Sequence, residues 1–279
     1  MVELHCHTTF SDGTLTPAEL VAAAIAAGVQ ALAITDHDTC AGWDAAIAAA
    51  GDRLEIVPGL ELSVVHNGRS LHILGFYPDR DRIDAPLALR LEGRRQRAQR
   101  MADKLAALGY PIELPQLPGN MAPGRPHVAQ ALLAAGHVTS AQEAFTRFLG
   151  DDRPAHVQYD KFSIQEGLTL LRDAGAIPVW AHPYLFRGGN VEDTLNELVA
   201  AGLMGLEVYH PNHSLTEQKR LLELCDRYGL LVTGGSDYHG PNPGTKAERR
   251  DSLNQFQLPL TLLDRLKAAK AAIATHATS

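Results

Sequence analysis

The sequence predicts an α/β fold of repeated strand–helix units, closed into a barrel or opened as a doubly wound sheet. Three observations predict it. Short apolar or β-branched runs alternate with stretches of helical periodicity, glycine stands just past several of those stretches, and the apolar runs end in histidine or carboxylate. Alternation of this kind implies parallel strands with helices outside them, and either closure places ligands at the carboxyl ends of the strands.

The expected strands occupy residues 2–7, 31–35, 54–62, 177–181, 205–209 and 230–233. Each is short and rich in Val, Ile, Leu or Ala. The helices between them are expected at 17–28, 42–50, 164–175, 191–202 and 215–229, five of the segments that carry the repeat. Residues 87–108 form a further helix carrying Arg94, Arg95, Arg97 and Arg100, a run that reads as a solvated face. A proline-rich stretch at 111–126 and another helical stretch up to 149 interrupt the rhythm. Residues 108–156 are therefore expected to be a small helical insertion, or cap, between barrel parts at 1–107 and 157–279. An alanine-rich C-terminal helix is expected to fray over its last three residues.

At 279 residues the chain can bury a large core, and its 45% hydrophobic and 20% charged content is that of a globular protein. No run approaches a membrane helix, and no basic-then-apolar leader opens the sequence, so a cytoplasmic location is expected. A formal charge of −7 disfavours sustained binding to a long nucleic-acid backbone, and no stable DNA complex is expected. A local basic pocket could still take a small phosphate ester. The three cysteines, Cys6, Cys40 and Cys225, form no Cys-x-x-Cys pair and read as buried thiols.

The chemistry lies in the thirteen histidines. His5 and His7 stand two apart on the first strand, so both leave one face while Cys6 leaves the other. Asp12 follows in the next turn. The second strand ends in Asp36-His37-Asp38, charge packed at a place where burial is costly without a purpose. In the third, Asn67-Gly68 between alternating residues signals a two-residue hairpin whose register pairs His66 with Arg69, Ser63 with His72, and Glu61 with Leu74. Glu61 and His72 then share a face as diagonal neighbours about 7–8 Å apart, within reach of one ion. His66 faces away and is expected at the surface. His182 follows the apolar run before it, and Asp237 and His239 alternate after the last strand.

Any one of these could be a core histidine bonded to a carbonyl. Together, His5, His7, Asp12, His37, Glu61, His72, His182, Asp237 and His239 exceed the needs of one metal ion. Imidazoles and carboxylates without thiolate suit Mn²⁺, Zn²⁺ or Fe²⁺ rather than Ca²⁺, and the donor count allows two or three ions. Such clusters lower the pKa of bound water toward neutrality, so hydrolysis is the leading chemistry. Competing motifs are poor: there is no Gly-x-Ser-x-Gly elbow, and the segment Gly240 to Lys246 is one residue short of a phosphate loop and carries two prolines without N–H groups.

Through "HCH", "SDG", "TDHD", "GLELS", "WAHP" and "SDYHG", the sequence resembles the PHP family, named for polymerase and histidinol phosphatase domains. The resemblance implies a distorted (β/α)7 barrel with a trinuclear centre, Mn²⁺ being the first choice of metal. One ion would take His5, His7, Glu61 and Asp237; a second Glu61, His72 and His182; a third Asp12, His37 and His239, with Asp12 where some members have histidine.

Within the family, "GRPHVAQALLAAG" and "RFLGDDRPAHV" are similar to the nucleotide-hydrolysing branch. The implied activity is removal of the 3′-phosphate from a nucleoside 3′,5′-bisphosphate. Arg125, His127 and Arg187 are candidates for gripping phosphate, His210 for lining the pocket, and His37 or Asp237 for assisting the leaving oxygen. A rival is a 5′→3′ exoribonuclease on short 5′-phosphorylated RNA. From other classes come a non-catalytic metal-stabilised domain of a larger assembly and an amidohydrolase.

Overall fold

A computed structural model describes residues 1–117, 122–158, 162–241 and 252–276. The segment compared above with a phosphate loop, and the last three residues, therefore lie largely outside the described residues. The chain divides into two compact units, Met1–Asp84 with Lys161–Ser279, and Ala85–Asp160. The stretch expected as an insertion, 108–156, falls within the second.

The first unit is built on a sheet of β1 (Val2–Glu3), β2 (Ala31–Ile34), β3 (Glu55–His66), β4 (Arg69–Phe76), β5 (Phe162–Ser163), β6 (Ile177–Trp180), β7 (Gly205–Tyr209) and β8 (Leu231–Gly234). Strands run in the order β1-β2-β3-β4-β6-β7-β8, and β5 pairs with β3 off this path. Among the pairs of these eight strands, β3–β4 and β4–β6 are antiparallel and the others parallel. Parallel bridging of Cys6 to Tyr238 and antiparallel bridging of Val2 to Leu258 bring the chain beyond β8 back to the β1 edge, so the sheet is a nearly closed barrel of seven strands in sequence.

The first strand is shorter than expected. The ladder stops at Glu3 because Thr35 takes over beyond it: the Thr35 Oγ1 accepts from Cys6 N at 3.0 Å and donates to Cys6 O at 3.0 Å. His5 and His7 still leave opposite to Cys6, which bridges to Tyr238.

The helices of this unit include α1 (Pro17–Ala26), α2 (Trp43–Ala50), α6 (Ile164–Asp173), α7 (Val191–Ala200), α8 (Leu215–Tyr228) and α9 (Thr261–His276). Their starts are written locally. Thr16 with Glu19, Ser163 with Glu166 and Ser214 with Glu217 each form a reciprocal capping box, which satisfies amide donors that a helix cannot pair internally.

The hairpin has the register expected from Asn67-Gly68, with His66 opposite Arg69, Ser63 opposite His72 and Glu61 opposite Leu74. His66 is a correction. Its side chain is only 10% exposed, because its ring packs 5.9 Å from that of Phe186.

Alternation also explains how one interior serves two purposes. Ala31 and Ala33, Val57, and Leu74 and Phe76 belong to one buried apolar cluster with Ile177, Val179 and the α9 leucines. Continuing by steps of two from these positions reaches His37, Glu61 and His72. On these three strands one inward face thus carries core side chains and, two or four residues along it, a metal-binding type of side chain. All three cysteines are buried and free.

In the second unit, α4 (Arg125–Ala134) is followed by α5 (Ala141–Ala144), which continues into a π-helical turn at Phe145–Leu149. Its core gathers Met101, Leu105, Val128, Leu132 and Phe148. Helix α3 (Arg80–Ala107) runs across the division and holds Pro86 close to it, where the ring removes one backbone donor. Among the described residues no helix is long and apolar enough to cross a membrane.

Candidate metal centre

Glu61, 1% exposed in the middle of β3, is the hub. Its Oε2 lies 3.2 Å from each of His5 Nε2, His7 Nε2 and His37 Nδ1. Its Oε1 lies 2.8 Å from His72 Nδ1 and 3.0 Å from His182 Nε2. Asp237, on the turn after β8, sets Oδ1 3.3 Å from His5 Nε2 and 3.1 Å from His7 Nε2. Asp12 brings Oδ1 to 3.3 Å from His239 Nε2 and Oδ2 to 3.6 Å from His37 Nε2. All nine residues proposed as ligands from the sequence therefore converge.

Three groups place one donor atom per residue within 4.8 Å of one another: His5, His7, Glu61 and Asp237; His37, Glu61 and His72; and His7, Asp12, His37 and His239. The first has the membership expected from the sequence. The others differ by one residue each, since His37 also faces the Glu61 oxygens and His7 also faces Asp12 at 3.5 Å.

The side chains fit cations by a direct criterion. His5 Nε2, His7 Nε2, His37 Nδ1 and His72 Nδ1 are buried and have no hydrogen-bond partner, although each has a Glu61 oxygen within 3.2 Å. The atoms approach without the alignment that a hydrogen bond needs. Leaving several buried polar atoms in that state is costly, and cations among them would satisfy them.

Charge points the same way. Burial opposes ionisation of Glu61, yet His37, His72 and His5 hold its carboxyl well below the usual range. Asp237 is likewise held low against burial by His5, His210 and His7. Burial pushes His37 down to about 4, whereas His7, despite burial, is raised to about 10 by its contacts with Asp237 and Glu61. The carboxylates demand positive charge, and protons on rings such as His7 are what a divalent ion would replace.

A cavity of about 340 Å³ is lined by His37, His72, His182 and Asp237 of the cluster together with Leu71, Leu185 and Phe186. His210 is 1% exposed and lies 3.3 Å from Asp237 Oδ2. Arg187 is exposed, next to the lining residue Phe186, and donates to the Tyr184 carbonyl at 3.4 Å. In the second unit, Arg125 donates to Asp151 Oδ1 at 2.8 Å, and His127 Nδ1 accepts from Gly124 N at 3.0 Å.

Glu3, Asp36 and Glu207 are buried carboxylates that had no assigned role in the sequence. Asp36 accepts from Thr8 N, Thr8 Oγ1 and Ser11 Oγ, and Ser11 Oγ lies 3.3 Å from His7 Nδ1. Glu207 lies behind His5. The sequence signal for Glu207 was a single charge inside the apolar run of β7, which burial makes costly without partners.

The model of the PHP domain matches residues 3–86. A 5′-3′ exoribonuclease of Haemophilus influenzae is 35% identical over 247 residues, 86% of this chain and 90% of that protein. The chain belongs to the PHP family. A second relative of this PHP protein, the 3′,5′-nucleoside bisphosphate phosphatase of Chromobacterium violaceum, is 32% identical over 257 residues, 87% of this chain and 88% of that one. A crystal structure from Bifidobacterium adolescentis, described as a metal-dependent phosphoesterase, superposes with a TM-score of 0.73 at 33% identity and covers 94% of this chain and 96% of its own. This PHP chain is accordingly a metal-dependent phosphoesterase, a hydrolase, on the distorted barrel of the family.

Proposed function

We propose that the chain removes the 3′-phosphate from nucleoside 3′,5′-bisphosphates, converting adenosine 3′,5′-bisphosphate to AMP, with two or three divalent ions and Mn²⁺ as the first choice. The observation that carries this reading is the convergence of unpartnered imidazole nitrogens on Glu61 beside a cavity lined by both polar and apolar side chains. The polar lining residues suit a phosphoryl group; Leu71, Leu185 and Phe186 suit the sugar or base attached to it. The similarity to a bisphosphate phosphatase supports the choice of ester.

In this reading His5, His7, Glu61 and Asp237 hold one ion, Glu61, His72 and His182 a second, and Asp12, His37 and His239 a third. When bound, the ions supply Lewis acidity, lowering the pKa of water and offsetting charge on the phosphoryl oxygens. Glu61 spans two of the sets with one oxygen each, which fixes the spacing between them. His210 orients Asp237. His37 or Asp237, off its ion, is the proposed proton carrier to the leaving 3′-oxygen, and the proton it delivers is one first taken from the attacking water. Arg187, Arg125 and His127 are the proposed phosphate grips, and for Arg125 a phosphate would replace the Asp151 carboxylate it now pairs with.

A second reading, hydrolysis of short 5′-phosphorylated RNA from its 5′ end, is favoured by the exoribonuclease relative. Turnover of adenosine 3′,5′-bisphosphate and of a 5′-phosphorylated trinucleotide by the Mn²⁺-loaded protein separates the two. Faster phosphate release from the bisphosphate is expected. Faster mononucleotide release from the trinucleotide would replace the first reading by the second, and turnover of neither by fully loaded protein would make the metals structural.

A further inference from the structure

We infer that Glu207 is a positioning residue for the metal cluster, fixing two ligands from different strands with its two carboxylate oxygens. The inference rests on His5 and His182 being ligands, as proposed above.

Glu207 stands on β7 with no exposed surface, between Leu206 and Val208, which are also fully buried. Its Oε1 lies 2.9 Å from His5 Nδ1, and its Oε2 accepts the backbone N–H of His182 at 2.8 Å. A charge buried in an apolar strand needs partners, and both of these partners belong to residues of the cluster.

The consequence for His5 is chemical. Glu207 already accepts the His182 N–H with Oε2, and with Oε1 accepting at 2.9 Å it would place the ring hydrogen of His5 on Nδ1. That leaves Nε2 as the proton-free nitrogen, the atom that points at Glu61 Oε2 and Asp237 Oδ1. A ligand must present this tautomer to a cation.

The consequence for His182 is conformational. Its φ of 33° and ψ of 62° are left-handed, an unfavourable backbone for a residue with a Cβ, and Pro183 after it favours an extended conformation instead. The bond from its N–H to Glu207 holds this turn, which aims the ring at Glu61 Oε1.

Glu207→Gln keeps the size and shape but can accept only on one side. If its carbonyl keeps the His182 N–H, its amide faces His5 Nδ1 and drives the hydrogen onto Nε2. If it keeps His5, the His182 turn loses its acceptor. The variant is tested for Mn²⁺ content, for Co²⁺ affinity and visible spectrum, and for melting without metal, beside the wild type.

Glu207→Gln is expected to bind Co²⁺ about 10- to 100-fold more weakly, with an altered ligand-field spectrum and near-native circular dichroism. Unchanged affinity and spectrum would overturn the role. Should Glu207→Gln not fold, nitrogen NMR of Zn²⁺-loaded wild type decides: the ring assigned to His5 must carry hydrogen on Nδ1, and hydrogen on Nε2 overturns the inference. Wild type that takes up no cation sinks the metal reading itself, whereas normal wild-type uptake with an indifferent variant sinks only the role of Glu207.

Discussion

Glu61 Oε1 lies 2.8 Å from His72 Nδ1 although the two residues are not opposite each other in the hairpin; Glu61 faces Leu74 and His72 faces Ser63. The contact is a diagonal one on the inner face, and it separates His72 from His66, which has the opposite parity. His72→Ala is expected to lower bound metal and to cost more than the roughly 10- to 100-fold of an outer-sphere loss. His66→Ala is expected to keep metal content and turnover, losing packing against Phe186 and the ring's contacts with Asn67 and Glu197. Metal counting and turnover on both variants check this, and equal losses would show that parity does not decide ligation.

Metal removal is expected to destabilise the fold as well as stop hydrolysis. Ligands delivered by β3, β4 and the turns after β1, β2, β6 and β8 would all be tied together by bound cations, so an ion that binds the native state adds stability by mass action. At a hundred times the dissociation constant this amounts to about 2.7 kcal/mol, or roughly 5–10 °C in melting temperature for a domain of this size. Melting curves with chelator and with added Mn²⁺ test it; coincident curves would contradict a cluster that ties the strand ends together.

The hairpin and the ligand set were legible because both depend on local rules. Asn67-Gly68 fixes a register, and a register fixes which side chains share a face. Strand β7 has the limits expected of it, Gly205–Tyr209. What the sequence hid is long-range. Glu207 and His5 are 202 residues apart, and nothing near either one announces the other. The same holds for Thr35, whose hydroxyl ends the β1 ladder by bonding Cys6 from the neighbouring strand. The Asp151 partner of Arg125 is likewise 26 residues away, and a phosphate grip and an ion pair look alike in sequence.

Gly167 lies in helix α6 against β3, and a Cβ there would run into Val64 Cγ1 and come within 3.2 Å of Leu62 Cδ2. Two effects compete in Gly167→Ala. Helix propensity favours alanine by about 1 kcal/mol, whereas overpacking costs about 1–3 kcal/mol. Val64 is β-branched, fully buried and held on a strand, so it yields little and the clash wins. A net destabilisation of about 1–2 kcal/mol is expected in denaturant titrations, and a stabilised variant would show that the helix can shift away from the sheet.

Glu143, in the second unit, offers a pH test far from the metal ligands in sequence. Its carboxylate accepts from Thr139 N at 2.8 Å and Thr139 Oγ1 at 2.7 Å and pairs with Arg147 at 2.5 Å. The Thr139 backbone bond, then the Thr139 hydroxyl and Arg147, lower its pKa from 4.5 to about 2. The folded state therefore keeps the carboxylate ionised at pH values where the unfolded chain has already taken up a proton. Its stabilisation is fully present above 4.5 and is lost as pH falls toward about 2. The side chain is partly exposed, so screening keeps the effect small. Glu143→Gln is expected to melt slightly below wild type at pH 7, with the gap closing between pH 4.5 and about 2. A gap that stays constant over that interval would mean that the Thr139 and Arg147 contacts do not depend on the charge of Glu143.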